Sequence, residues 1–147
     1  MSEPKEASTF TIEKNKALYE DPVLDWEDKI DFENAQRGFI ARMEDLVIRN
    51  KDDEIVWELT PYEFLDDETA PPTVNPSLWR QARLNMYHGL FKVTERIYQV
   101  RGYDLSVMSF IEGESGWIVI DPLVSTECAR SSLELVHQNL GVKPVKA

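Results

Sequence analysis

Between Gly89 and Asp121 the chain runs through four short β-type segments with turn-length gaps, and this alternation limits the fold more than any other feature. The segments are 90–94, 97–101, 106–112 and 117–121, rich in Val, Ile, Phe, Tyr and Trp. Thr94-Glu95, Gly102-Tyr103-Asp104 and Gly113-Glu114-Ser115-Gly116 supply the turn residues. Strands joined so closely pair as antiparallel neighbours, because a parallel pair needs a crossover of about a dozen residues. The spacing therefore predicts a β-meander. Trp117-Ile118-Val119-Ile120 is continuously apolar, the pattern of a strand buried on both faces. The rhythm then changes. Ser125 can cap a helix whose Ala129, Leu133, Val136 and Leu140 fall on one face. Glu127 sits in its first turn, favourable against the helix dipole, and Gly141 closes it. Residues 142–147 read as the start of another strand. Strand, capped helix and strand make a β-α-β unit, which requires a parallel neighbour.

The first half is less regular. Residues 1–8 read as a polar tail and 9–19 as a short helix with Phe10, Ala17 and Leu18 as its apolar contacts, broken at Asp21-Pro22. Trp26, Ile30 and Phe32 mark a second short helix in an acidic stretch, and Gly38 can take the left-handed conformation that ends it. Segments 46–49 and 55–59 flank Asn50-Lys51-Asp52-Asp53 and predict a hairpin with Trp57 packed on one face. Thr60-Pro61-Tyr62-Glu63 has the form of a capping box with proline at the first helical position. Asp66-Asp67-Glu68 reads as a solvated loop, since a calcium loop needs alternating ligands around a glycine turn. Asn75-Pro76 opens a helix with Leu78, Ala82 and Met86 on one face, running towards Gly89.

A chain of 147 residues suits one modest core, and three stretches are predicted: 1–27, 28–88 and 89–147. With 27 acidic against 16 basic side chains the net charge is −11, which excludes a phosphate-binding nucleic-acid surface and disfavours an anionic membrane. No apolar run approaches the roughly 20 residues of a membrane span. The polar start carries no hydrophobic signal segment, so the sequence reads as cytoplasmic by default. The single cysteine, Cys128, can form no internal disulfide and reads as a small core residue rather than a nucleophile.

The inventory for catalysis is thin. His88 and His137 are the two histidines, and a zinc site needs three or four ligands. No H-x-H-x-D-H, H-E-x-x-H, C-x-x-C, G-x-S-x-G or phosphate-loop pattern occurs. His88 is expected to cap carbonyls at a helix end, and His137 to lie partly exposed. Asp121 follows a buried run and precedes Pro122. It has two readings: a carboxylate at the carboxyl end of a strand, where open sheets handle ligands, or a turn residue bonding nearby amides.

Three blocks carry a resemblance: NPSLWRQARLN from Asn75, HGLFKVTERIYQVRGYDLS from His88 and IEGESGWIVIDPL from Ile111. With DFENAQRGFIA from Asp31 and VWEL from Val56, they are similar to the amino-terminal part of alkyl sulfatases, dizinc members of the metallo-β-lactamase superfamily. The resemblance implies an α/β fold, α+β in this stretch: an irregular helical and hairpin extension over 28–88, then at 89–147 the first strands and first helix of a metallo-β-lactamase αββα sandwich. It implies a homodimeric sulfuric ester hydrolase in which two zinc ions activate water to cleave sulfate esters of long-chain alcohols. It places those zinc ligands in a T-H-x-H-x-D-H loop beyond residue 147, so no metal ligand or catalytic residue carries onto this chain, which is expected to be inactive and metal-free alone. Asp121 matches an acidic residue that braces the metal-site loop. The chain departs from the family at Val107, where Asn is frequent, and in lacking the signal peptide of exported members. The alternatives are a catalytically dead interaction protein, or a metallo-β-lactamase-fold hydrolase of another substrate.

Overall fold

In the computed structural model, which describes residues 5–147, the meander forms as its spacing predicts. Strands β4 (Gly89–Thr94), β5 (Ile97–Arg101), β6 (Met108–Glu112) and β7 (Trp117–Ile120) pair antiparallel in sequence order. A further strand, β1 (Phe39–Ala41), adds to the free side of β4. Three residues are too few to show an alternation, so nothing in the sequence marked it. Gly38 makes it possible. Its φ of 75° ends the preceding helix, and its carbonyl accepts from the Lys92 amide at 2.7 Å. A side chain there would collide with the Lys92 carbonyl.

The β-α-β unit is also present. Helix α4 (Thr126–Leu140) leaves β7 and returns the chain to it, with Val145 bridging Trp117 in parallel. The Trp117 amide donates to the Pro144 carbonyl (2.8 Å), the Lys146 amide to the Trp117 carbonyl (2.8 Å), and the Val119 amide to the Ala147 carbonyl (2.7 Å). Ser125 caps α4 through the Cys128 amide at 3.1 Å. The hairpin is β2 (Val47–Arg49) with β3 (Ile55–Glu58), and its turn is held by Asn50, whose Oδ1 accepts from the Asp52 and Glu54 amides.

One face of the sheet builds the core. Leu90, Val100, Met108, Phe110 and Trp117 point to Cys128, Leu135 and Val136 of α4, to Ile48 of the hairpin and to Leu46 just before it. Trp117 meets Tyr98 and Phe110 edge-on, at 6.0 and 6.1 Å between centroids, the arrangement ring quadrupoles favour. The opposite face is uncovered at β7: Ile118 is 41% and Ile120 54% exposed. The strand is thus buried on one face, not on both. An apolar run shows what a strand could bury, whereas cover depends on which elements lie over it.

The early helices are α1 (Thr9–Tyr19), as predicted, and α2 (Ile30–Gln36), which is shorter than its acidic stretch. Trp26 lies before α2 and donates to the Leu18 carbonyl at 3.1 Å. The capping box at Thr60 is not made. Residues Thr60–Asp66 form a 3-10 helix that starts on Leu59 without a side-chain cap, so the geometry of a first α-turn is absent. Helix α3 (Pro76–Asn85) has its Asn75 cap, but its face is turned by one residue. Leu78 is exposed and Trp79 is buried, because the Trp79 indole reaches the Asp67 carbonyl at 3.0 Å. In α4 the buried stripe is Cys128, Ser132, Leu135 and Val136, with Ala129, Leu133 and Leu140 only partly covered. Strand β6 begins at Met108, leaving Ser106 and Val107 in a loop.

The two sheet faces should respond differently to substitution. Phe110→Ala empties a fully buried site and should lower the unfolding free energy in urea by about 3–5 kcal/mol. The pair Ile118→Ser and Ile120→Ser should leave the unfolding free energy in urea within about 0.5 kcal/mol of the parent. It should also reduce self-association in analytical ultracentrifugation, because the exposed apolar face of β7 is the surface through which copies would pair.

Candidate functional site

The turn after β5 binds three distant parts of the chain. Gly102 has φ 74° and lies against His88, where an added Cβ would stand 2.5 Å from the histidine Cβ. Its carbonyl accepts the Trp57 indole N–H of the hairpin at 2.8 Å. Tyr103 is fully buried, and its hydroxyl accepts the Met43 amide at 3.0 Å, fastening the β1–β2 connection. Burial pushes the Tyr103 pKa up, against the opposing effect of that amide. Asp104 is 9% exposed. Its Oδ1 accepts from its neighbour Leu105 (2.6 Å) and its Oδ2 from the Val124 amide (2.9 Å), in the loop between β7 and α4. Charge-assisted bonds to backbone amides are about twice as strong as neutral ones.

That loop begins at Asp121. The residue is exposed, has φ 56°, and accepts the Leu123 amide on Oδ1 at 3.3 Å; Leu123 has φ 71°. The bond fastening the loop to the sheet comes from Asp104, which reading the sequence passed over as a turn residue. A Gly-Tyr-Asp tripeptide carries no mark that distinguishes a hub from an ordinary turn.

The other candidates lie apart. Cys128 is 1% exposed, and burial pushes its thiol pKa up, with the Asp104 and Glu127 charges adding and the Ser125 hydroxyl opposing. The thiol is therefore held protonated, as a core residue rather than a nucleophile. His88 lies beyond the end of α3, and its Nδ1 pairs with the Met86 carbonyl at 3.0 Å, while its Nε2 is buried without a partner. His137 is partly exposed and pairs through Nε2 with the Lys143 carbonyl at 3.0 Å. Asp67 and Glu68 belong to the surface loop, where Asp67 takes the Thr69 amide. Among the described residues no group of three His, Cys, Asp or Glu side chains could hold a metal. The dizinc centre that the resemblance implies would draw its ligands from beyond residue 147, not from these residues.

A cavity of about 480 Å³ opens between the 3-10 helix, α3, the hairpin and the segment 101–107. Trp57, Leu65, Ala82, Met86 and Val107 form apolar wall, and Arg101 and Asp104 also line it. Reading the sequence missed this site, because its walls come from four separate stretches.

The chain matches no protein-family model. It is 45% identical over 142 residues to the alkyl/aryl-sulfatase BDS1 of Saccharomyces cerevisiae, covering 97% of this chain and 22% of that protein. It is 44% identical over 143 residues to an (R)-specific secondary-alkylsulfatase and 42% over 144 to a linear primary-alkylsulfatase, both of Pseudomonas sp, with 21% of each covered. The stereoselective inverting sec-alkylsulfatase Pisa1 of Pseudomonas sp. superposes with a TM-score of 0.88 at 45% identity, over 95% of this chain and 22% of that one. The antiparallel sheet and its helices thus form an α+β region that matches the corresponding part of that sulfatase. The homologues of this chain are alkyl sulfatases, and it spans about a fifth of their length.

Asp104→Asn keeps the size but turns an amide N–H2 towards one of two backbone donors. It should cost about 1–3 kcal/mol in urea unfolding and speed hydrogen exchange at Leu105 and Val124. Asp121→Gly, at a left-handed exposed position, should change stability by less than about 1 kcal/mol.

Proposed function

We propose that this chain is a structural region of an alkyl sulfatase, an enzyme hydrolysing sulfate esters of alkyl alcohols. The observation that carries this reading is 42–45% identity to three alkyl sulfatases over 97% of the chain. The superposition on the sec-alkylsulfatase Pisa1, with a TM-score of 0.88, supports it. The finer expectations belong to the same proposal: a metallo-β-lactamase fold, two zinc ions and a homodimer in the whole protein, all resting on the motif resemblance. Since the residues here do not supply a metal centre, their part is scaffolding. The sheet, the β-α-β unit and the braced loop after β7 hold a frame on which residues elsewhere act. The chain is about equally similar to a primary and a secondary alkylsulfatase, which supports placing substrate choice outside this region.

The test is the coding sequence after Ala147. Translation continuing into T-H-x-H-x-D-H, and sulfate release from dodecyl sulfate by the protein so extended, would support the proposal. In that protein Asp121→Ala should lower zinc content and activity together, because the metal-site loop that the resemblance has it brace is then unsupported. The chain of 147 residues, dialysed and analysed for metal, should hold well under one zinc per chain. A stop codon after Ala147, with a stable chain that releases no sulfate, would instead favour an interaction protein.

A further inference from the structure

The 3-10 helix over Thr60–Asp66 carries an aromatic patch that the described residues leave open. Phe64 is 58% and Tyr62 49% exposed. Apolar residues scattered singly over a surface need no explanation, but these are joined. The Phe64 ring centroid lies 6.3 Å from that of Tyr62 and 5.8 Å from that of Trp79. Trp79 is the fixed end of the run, buried on α3 and held by its indole bond to the Asp67 carbonyl at 3.0 Å. Exposed rings packed on an anchored one have little side-chain entropy left to lose on contact, the condition of an interface anchor. The rim of the patch has one sign. Glu63, Asp66, Asp67 and Glu68 belong to the same short stretch and all are exposed. Among the described residues only Glu68 has a cation within ion-pair distance, Arg83 at 3.8 Å.

We propose that this patch docks a basic amphipathic helix of a partner protein, its apolar face on Phe64 and Tyr62 and its lysine or arginine side chains beside Glu63, Asp66 and Glu68. The rings supply the affinity, because each offers a large apolar area in a fixed orientation. The carboxylates select the sign of the partner and steer its approach, since complementary potentials speed association and like charges oppose it. A helix meets both demands at once: residues three and four apart line one apolar face, and the flanking positions carry the cations. A second copy of the chain is disfavoured at this patch, because it would set one acidic rim against another. The inference goes beyond the sulfatase reading, because it concerns binding of a partner at an outer surface and needs no hydrolysis.

The probes are capped synthetic peptides of equal length that repeat Leu-Lys-Lys-Leu, Ser-Lys-Lys-Ser or Leu-Glu-Glu-Leu. They are titrated into the chain by calorimetry and by the NMR signal of the Trp79 indole N–H, which also reports that each variant keeps the bond to Asp67. The leucine-lysine peptide should bind saturably and one-to-one, and more weakly as salt is raised. The serine-lysine and leucine-glutamate peptides should each bind at least about tenfold more weakly. Phe64→Ser, at an exposed position, should weaken the leucine-lysine peptide about tenfold, and Glu63→Lys about fivefold. Asp52→Lys changes the net charge equally at the far end of the hairpin and should leave affinity within about twofold. The Ile118→Ser and Ile120→Ser pair should bind as the parent does, which separates this patch from the bare face of β7. Equal binding of either control peptide, unchanged affinity in Phe64→Ser, or loss of binding in the Ile118 and Ile120 pair would overturn the proposal. So would a Trp79 signal moved by phosphatidylcholine vesicles and not by the peptide, which would make the patch a lipid-facing one. None of these results depends on sulfate release, so failure of the sulfatase reading would leave the docking surface intact, and the reverse.

Discussion

The Asp104 carboxylate and the turn that presents it are the constraint on which the rest of the described chain depends. Gly102, Tyr103 and Asp104 are three consecutive residues, and each holds a different partner: the hairpin through Trp57, the β1–β2 connection through Met43, and the β7–α4 loop through Val124. A backbone polar group left unpaired in the interior costs about 1–3 kcal/mol, so each bond favours docking of its partner element over an alternative placement. The apolar core supplies most of the stabilisation, but apolar contact is non-directional. The turn supplies the directions. It fixes the hairpin over one face of the sheet and thereby decides which face becomes the core.

That choice leaves an asymmetric molecule. One sheet face is closed by α4 and the hairpin, while Ile118 and Ile120 face outward on β7. Charge and apolar surface pull in opposite directions here. A net charge of −11 keeps copies apart at long range, but at physiological salt it is screened beyond roughly 8 Å. Contact between side chains falls inside that length, so apolar pairing governs close approach. Helix α2 is tied on more loosely, through Arg80 to Asp31 at 2.8 Å and the stacking of Arg80 and Arg83 on Phe32. These contacts are partly exposed, and ion pairs of that kind are worth at most about 1 kcal/mol.

The chemistry of the chain is decided by what its side chains can and cannot do together. Among the described residues no group of His, Cys, Asp or Glu side chains could hold a metal, and burial keeps the Cys128 thiol protonated. The likeness to alkyl sulfatases was legible in three sequence blocks, and the identities bear it out over nearly the whole chain. The candidate site was not legible. Asp121 could be picked out because it follows an apolar run, whereas Asp104, which takes the Val124 amide 20 positions away in sequence, could not. The cavity draws its wall from residues as far apart as Trp57 and Val107, and no local pattern links them.

The sequence by itself determined every feature whose partners lie within a few residues. Asn50 organises its own hairpin turn, Ser125 and Asn75 cap the helices that follow them, and short gaps force antiparallel neighbours from β4 to β7. Such contacts form between groups the chain already holds close, so residue type and spacing are enough to specify them. Only the tertiary structure decided which way each element faces. Trp79 turned inward in place of Leu78 to reach the Asp67 carbonyl, and α4 settled on Cys128 and Leu135. Strand β7 kept one face bare, and Phe39–Ala41 became a strand because β4 lay open beside it. The physical reason is that burial is a property of pairs of surfaces. A periodic apolar stripe states what could be covered, and only the packed neighbours determine what is.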